Sequence, residues 1–160
     1  NAGSTEPKGI EVEFTSRPID GLDLVLSGAW MDGKFPSNNP DFGGNQLANM
    51  PELTFNALSR YEFELTQSLM AAVQLDAGYQ SKVFFGADNN ALVSQDAYWL
   101  LNANFSIFSD ADHVWELNVY GKNLTKEKYA NFVFNLAELG FHTYSPGERD
   151  SYGVTFNYNF

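Results

Sequence analysis

The fold is decided by residues 150–160, DSYGVTFNYNF, at the end of the sequence. From Tyr152 to Phe160 every second residue is apolar or aromatic, and the residues between them are small or polar. Because successive side chains of a strand point to opposite faces, this period of two predicts a β-strand with one apolar face.

The same alternation recurs through the rest of the chain. Helical spacing is not sustained anywhere. The best helical candidate, residues 132–139, is short and apolar all round, so a strand or an irregular loop fits it equally well. We therefore predict an all-β antiparallel chain of about seven strands. The six earlier strands are expected at residues 10–15, 22–31, 55–64, 70–83, 99–107 and 115–122.

The connections alternate in length. Short turns follow the first, third and fifth strands, and long polar segments follow the second, fourth and sixth, at residues 32–52, 85–95 and 126–149. Outer-membrane barrels have short periplasmic turns and longer external loops. On that pattern the last strand runs towards the periplasm and leaves Phe160 on the periplasmic side.

The distribution of side chains favours a membrane barrel over a soluble β-sandwich, which also alternates. Aromatic residues lie near the strand ends, where amphipathic rings suit the headgroup level, and aliphatic residues fill the strand centres. The opposite faces carry charged and amide side chains, which suit a wet or plugged lumen. The aromatic set is Trp30, Tyr79, Tyr98, Trp99, Trp115, Tyr152 and Tyr158.

Composition excludes several classes of protein. The net charge of −11 argues against a nucleic-acid partner, and the absence of Cys removes disulfides and thiol chemistry. Asn1 to Ser4 contain no signal-peptide features.

Seven is an odd strand number, whereas bacterial single-chain barrels have even numbers. We therefore expect the remaining strands to lie outside this sequence.

Three segments resemble TonB-dependent outer-membrane receptors. Residues 119–129, VYGKNLTKEKY, look like the family's NLTDKxY segment, and residues 1–13 look like its NAG…GxExE strand. PGER at residues 146–149, followed by Tyr152-Gly153-Val154 and Phe160, is similar to its closing strand. The resemblance implies a transmembrane β-barrel fragment: about seven strands of a 22-stranded barrel.

The resemblance also implies a function. The family's barrel encloses an N-terminal plug and imports a scarce nutrient (an iron–siderophore, cobalamin or a carbohydrate) with energy delivered by TonB. Residues 1–160 would be the C-terminal segment of the barrel domain, without the plug or the remaining strands. The implied partners are outer-membrane lipid, the plug, those strands and, through the plug, TonB.

Two sets of candidate functional residues follow. Phe160, Tyr158 and Phe156 resemble the terminal signal read by the barrel-assembly machinery, although an ordinary amphipathic edge strand has the same pattern. Aromatic residues in the third long segment could form a substrate platform, or the loop could simply pack its own rings. These are Phe132, Phe134, Phe141 and Tyr144.

Other motifs are better explained by structure than by chemistry. Asn123-Leu124-Thr125 matches a glycosylation sequon, but local backbone hydrogen bonding is expected instead. His113, beside Asp110 and Asp112, and His142 lie in different connections, so no shared metal site is predicted. Turn formation is likewise expected for Asp41, Asp88, Asn89 and Asn90. No nucleophile–base pair, phosphate loop or metal-ligand cluster is present, so no enzyme, cofactor or metal is predicted.

Three functions remain open at this point. The first is an energised importer, the second a small self-contained outer-membrane barrel acting as an anchor or adhesin, and the third a soluble β-barrel or sandwich that binds a small ligand. Stable solubility without detergent would support the third and exclude the first two.

Deletion of Phe160 from the full-length protein is expected to slow its assembly into the membrane, because the terminal aromatic residue resembles part of the assembly signal. Heat-modifiable migration of the folded barrel and its surface level are the measurements. Unchanged values for both in the deletion variant would contradict the assignment.

Overall fold

The chain folds into a seven-stranded antiparallel sheet whose strands follow the order of the sequence. The structure is a computed structural model and describes residues 5–109 and 114–159. The sheet contains β1 (Lys8–Ile19), β2 (Leu22–Asp32), β3 (Leu53–Thr66), β4 (Leu69–Gln80), β7 (Tyr98–Ser109), β8 (Trp115–Lys122) and β11 (Ser151–Tyr158). Two small hairpins lie in the connections, β5 (Val83–Phe84) with β6 (Ser94–Gln95), and β9 (Ala130–Leu136) with β10 (Phe141–Pro146). The predicted all-β architecture is confirmed.

The register of pairing joins the apolar sides of all seven strands into one face. One row across the sheet runs from Phe14 to Leu26, Ala57, Ala77 and Leu101, each residue directly opposite the next. Directly paired residues of antiparallel strands share a face. The alternation seen in each strand therefore becomes a continuous apolar surface, the apolar face, with the polar face behind it.

The apolar face is open to its surroundings. On strands that are paired on both sides, Trp99, Leu75 and Val119 are 49%, 48% and 48% exposed. Soluble monomers rarely leave large contiguous apolar surfaces open to water, so lipid is the natural cover of this face. Across the described residues, no helix is long and apolar enough to cross a membrane.

Aromatic residues form two belts on the apolar face. At the end with the long loops, the Trp99 ring centroid lies 4.8 Å from that of Tyr79 and 6.2 Å from that of Phe55. At the end with the short turns, Tyr61 stacks on Phe63 at 5.6 Å. One residue of the predicted belts was placed wrongly: Tyr98 pairs with Gln80 and lies on the polar face.

The polar face carries its own network of side-chain bonds. Arg17 donates two hydrogen bonds to Asp23, at 2.8 and 2.9 Å. Gln74 donates to both carboxylate oxygens of Asp76, at 3.2 and 3.1 Å. Acidic side chains outnumber basic ones here, so this surface suits a hydrated or polar neighbour rather than hydrocarbon. The acidic residues are Glu11, Glu13, Asp23, Glu62, Glu64, Asp76 and Glu116, and the basic ones are Arg17, Arg60 and Lys122.

The long connections are more ordered than the sequence predicted. β4 ends at Gln80, and Val83, which was expected in that strand, belongs to the separate strand β5. The segment at residues 132–139 is not a helix: it is most of strand β9 followed by a 3₁₀ turn, Ala137–Leu139. Gly140, with a φ of 84°, then reverses the chain into β10. Only glycine adopts this left-handed conformation without a steric cost.

Leu75→Arg is expected to lower the free energy of unfolding of the full-length protein in lipid vesicles by about 2–4 kcal/mol, because Leu75 lies midway along β4 on the apolar face. Denaturant titration of the reconstituted barrel is the measurement. Asn56→Arg, on the polar face of the neighbouring strand β3 and opposite the uncharged Ser27 and Gly78, is the matched control and should change this free energy little. Equal effects of the two substitutions would contradict the assignment of faces.

Candidate functional site

The three long loops form a packed layer at one end of the sheet. Loop one (residues 33–52), loop two (81–97) and loop three (123–150) connect β2 to β3, β4 to β7 and β8 to β11. Seven apolar residues are buried in the described part of the chain, and four of them, Phe35, Val83, Val93 and Val133, are in these loops. The loops are therefore folded elements with apolar residues of their own inside them, rather than extended chains.

Loops one and two are joined by reciprocal hydrogen bonds. The Asn89 side chain donates to the Gln46 carbonyl at 2.9 Å and accepts from the Gln46 N–H at 2.7 Å. The Asn45 side chain donates to the Ala87 carbonyl, and the Asn49 N–H donates to the Phe84 carbonyl. Asn89 has a φ of 49°, a conformation that asparagine tolerates better than most residues. Loops one and two therefore form a single unit.

Loop three meets loop two along strand β9. The Phe132 ring lies 5.3 Å from the Phe85 ring, and the Ala130 N–H donates to the Gln95 side chain at 2.7 Å. Both contacts involve the first residues of β9. The far end of the hairpin is open, with Leu139 69% exposed.

Asn123 holds both ends of loop three. Its side-chain amide donates to the carbonyls of Glu127, at 2.9 Å, and Glu148, at 3.0 Å, while its side-chain oxygen accepts from the Glu127 N–H at 2.9 Å. Its own N–H donates to the Asn102 side chain. Asn123 is only 4% exposed and has a φ of 48°. The prediction that this motif serves backbone hydrogen bonding is confirmed.

Tyr129 also holds the base of loop three. Its ring stacks on Tyr98 with a centroid distance of 4.6 Å and an interplanar angle of 19°. Its hydroxyl accepts from the Glu148 N–H at 3.2 Å, and its carbonyl accepts from the Gly147 N–H at 2.7 Å. Gly147 packs so closely that an added Cβ would lie 2.2 Å from the Tyr129 ring. Asn123, Tyr129 and Gly147 are referred to below as the base clasp.

The aromatic candidates of loop three divide between the two faces of its hairpin. Phe132 and Phe134 share a face, and Phe141, opposite Leu136, lies on that same face. Phe134 and Phe141 are about half exposed. Tyr144 pairs with Val133 and lies on the other face, so the structure separates it from the proposed platform. Phe132, Phe134 and Phe141 are called the aromatic face below.

A cleft of about 660 Å³ opens between the two ends of loop three, beside Tyr129 and Tyr144. Its charged lining is balanced, so it offers no net charge with which to select an ionic ligand. The basic residues are Lys126, Lys128 and Arg149, and the acidic ones are Glu127, Glu148 and Asp150.

The terminal aromatic residues lie at the end of the sheet with the short turns. Phe156 and Tyr158 are on the apolar face, and Phe156 stacks on Trp115 at 6.4 Å. Phe160 lies outside the described residues, as do Asp110, Asp112 and His113.

The remaining polar candidates stabilise turns. The Asn39 side chain accepts from the N–H groups of Asp41 and Phe42, and the Asn90 side chain accepts from the Leu92 N–H. His142 lies in the loop-three hairpin opposite Asn135. Within residues 5–109 and 114–159, no group of three or more His, Asp or Glu side chains is placed to hold a metal ion.

Sequence reasoning missed the contacts between loops and the stacking of Tyr98 on Tyr129. Tyr98 and Tyr129 are 31 positions apart in the sequence, and no local sequence pattern links them. The one available signal was Pro146-Gly147, a dipeptide that marks a turn or a close approach of the backbone.

A sheet with one apolar face, two aromatic belts, a polar face and a layer of long loops at one end is the wall of an outer-membrane β-barrel. The chain belongs to the TonB-dependent receptor-like β-barrel family, whose model matches residues 1–124. It therefore lies in the outer membrane, as part of a receptor barrel. The small anchor barrel and the soluble binding protein are not favoured.

Solved structures show the same fold. The ferric yersiniabactin uptake receptor FyuA from Yersinia pestis matches 100% of this chain with a TM-score of 0.86 and 19% identity. The ferric preacinetobactin receptor BauA from Acinetobacter baumannii matches 96% with a TM-score of 0.75 and 17% identity. The ferric-catecholate import receptor Fiu from E. coli K12, in its closed form, matches 96% with a TM-score of 0.73 and 20% identity.

The chain spans only 24%, 22% and 21% of the lengths of FyuA, BauA and Fiu respectively. It corresponds to less than a quarter of each receptor, and at these identities the likeness concerns the fold.

Gly147→Ala in the full-length receptor is expected to displace the Tyr129 ring and lower the free energy of local opening at the base of loop three by about 1–3 kcal/mol, because a new methyl group would overlap that ring. Hydrogen exchange across residues 129–148 is the measurement. Gly28→Ala is the control, since its new Cβ would lie 3.5 Å from the nearest atom. Unchanged exchange in the Gly147 variant would contradict this account.

Proposed function

We propose that this chain is the C-terminal part of a TonB-dependent importer that carries a scarce nutrient across the outer membrane. The observation that carries the proposal is the two-faced seven-stranded wall with a folded loop layer at one end, which matches the ferric yersiniabactin uptake receptor FyuA along its whole length. Membership of the receptor-like barrel family supports the same role. The proposal contains no catalytic step.

The edges of the sheet support a larger barrel. Within the described residues, β1 pairs only with β2, and β11 pairs only with β8. In hydrocarbon an unpaired backbone N–H or C=O costs several kcal/mol, so a lipid-facing sheet cannot keep open edges. We infer that β1 and β11 pair with further strands of a barrel of about 22, which holds an N-terminal plug.

The loop layer is the proposed binding surface. The aromatic face of loop three presents two half-exposed phenyl rings beside the joined unit of loops one and two. Aromatic rings suit ligands with flat apolar parts, and loops held on a rigid scaffold are common binding sites. Ligand recognition is therefore assigned to Phe132, Phe134 and Phe141, with Tyr144 outside the contact surface.

Among the three nutrient classes, ferric chelates have the most support. The solved relatives are named as receptors for ferric yersiniabactin, ferric preacinetobactin and ferric catecholates. The net charge of −11 on this chain opposes a strongly anionic ligand. A ferric chelate of low net charge fits both observations better than a highly charged one.

Two further partners complete the proposal. TonB acts through the plug, which contacts the polar face. The barrel-assembly machinery recognises the terminal aromatic residues Phe156, Tyr158 and Phe160, and the exposure of Phe156 and Tyr158 on the apolar face supports this reading.

The experiment is uptake by cells that carry the full-length receptor as their sole importer of its class. A neutral ferric hydroxamate, a ferric catecholate, cyanocobalamin and a maltooligosaccharide are the probes, each measured with and without TonB. We expect TonB-dependent uptake of a ferric chelate. The double substitution Phe134→Ser with Phe141→Ser should weaken its binding on the order of tenfold, because two apolar contacts are lost.

Tyr144→Ser is the matched control, since it removes one ring from the opposite face of the same hairpin. It should leave uptake unchanged. Uptake of cyanocobalamin or the maltooligosaccharide alone would replace the proposed nutrient class, and TonB-independent passage of every probe would exclude an energised importer.

A further inference from the structure

The loop-three hairpin is held much more firmly at one end than at the other. At its base, the Asn123 side chain donates to carbonyls on both sides of the loop, Glu127 and Glu148. At its tip, Leu139 and Phe141 are 69% and 51% exposed. The hairpin is therefore an arm that projects from a fixed base.

The base clasp joins three separate parts of the chain. The Asn123 N–H donates to the Asn102 side chain on β7. The Asn123 side chain donates to the first part of loop three, at Glu127, and to its last part, at Glu148. Tyr129 repeats this arrangement, because its ring stacks on Tyr98 of β7 while its hydroxyl accepts from the Glu148 N–H. Both residues link the sheet to the two ends of the arm.

The arm carries the aromatic face. Two contacts between the arm and loop two lie next to the base clasp. They are the ring contact of Phe85 with Phe132 and the hydrogen bond from the Ala130 N–H to the Gln95 side chain. Phe134 and Phe141 lie farther out, where no ring contact to loops one or two is present among the described residues. A small rotation at the base therefore moves these two rings more than it moves Phe132.

We propose that Asn123 and Tyr129 are positioning residues that set the direction of the loop-three arm, and so determine where the aromatic face stands relative to loop two. Neither residue touches ligand in this scheme; each acts through the arm. The importance of this direction for ligand binding rests on the proposed import function, whereas the direction itself is a property of the unliganded receptor.

Four substitutions in the full-length receptor separate the contributions. Asn123→Gly removes every side-chain bond but accepts the φ of 48° without strain. Asn123→Asp keeps the acceptor and places a carboxylate against two carbonyl oxygens. Tyr129→Phe keeps the ring stack and loses the hydroxyl, and Tyr129→Ala loses both.

The direction of the arm is measured by double electron–electron resonance, which gives the distance between two spin labels. One label is at Glu138, in the 3₁₀ turn at the tip, and the other is at Ser68, in the turn between β3 and β4. The receptor is otherwise free of cysteine. We expect a distribution that is shifted or broadened in Asn123→Gly, Asn123→Asp and Tyr129→Ala. Tyr129→Phe should stay close to the wild type. The heat-modifiable migration of the barrel should be unchanged in all four.

Asn131→Ala is the matched control, because it removes a single hydrogen bond, from the Asn131 side chain to the Pro146 carbonyl, inside the arm itself. It should leave the distribution unchanged. If Asn123→Gly does not assemble, Tyr129→Ala carries the test, since it removes none of the Asn123 bonds.

A wild-type distribution in both Asn123→Gly and Tyr129→Ala would overturn the proposal, whether or not the receptor imports a ferric chelate. Equal broadening in Asn131→Ala would also overturn it, because the arm would then respond to any lost bond. Conversely, absence of ferric hydroxamate and ferric catecholate uptake by the wild type, with the expected broadening in the variants, would leave the clasp standing and remove only the proposed nutrient. Where one of these chelates is taken up, its affinity should fall about five- to thirtyfold in Asn123→Gly.

Discussion

The structure depends on backbone pairing between neighbouring strands in a register that keeps like faces together. A shift of one residue would move every apolar side chain of a strand to the opposite face. The row from Phe14 through Leu26 and Ala57 to Leu101 shows that like faces stay together through the middle of five strands. Two register shifts lie close to short turns, one between Ser16 and Ile19 and one between Glu64 and Thr66. In a membrane this pairing also satisfies the backbone polar groups that lipid cannot.

The sheet supports loops that have buried apolar residues and loop-to-loop contacts of their own. Most of the sheet has its apolar residues on an exposed face, whereas Phe35, Val83 and Val93 are buried within the loop layer. Loops one and two are joined by reciprocal bonds between Asn89 and Gln46. Loop three is held mainly at its base. The sheet therefore supports three loops that differ in where they are held.

The sequence alone predicted the seven strands of the sheet, the alternation of turns and loops, and the role of Asn123 in backbone bonding. The strands follow from local patterns, such as the period of two in β11, and the lengths of the connections follow from where the strands lie. The errors share a different cause. The end of β4 and the hairpin at β9 depend on pairing partners elsewhere in the loops, and the face of Tyr98 depends on its position opposite Gln80.

What the sequence determined by itself was the two-sided character of each strand, because side-chain direction alternates in any extended chain. It also determined the direction of the last strand, DSYGVTFNYNF, through the order of short and long connections. Only the tertiary structure decided which loop residues meet. Asn123 reaches Glu148, Tyr129 reaches Tyr98 and Asn89 reaches Gln46 because the sheet brings the strand ends together, and such contacts leave no periodic trace along the chain.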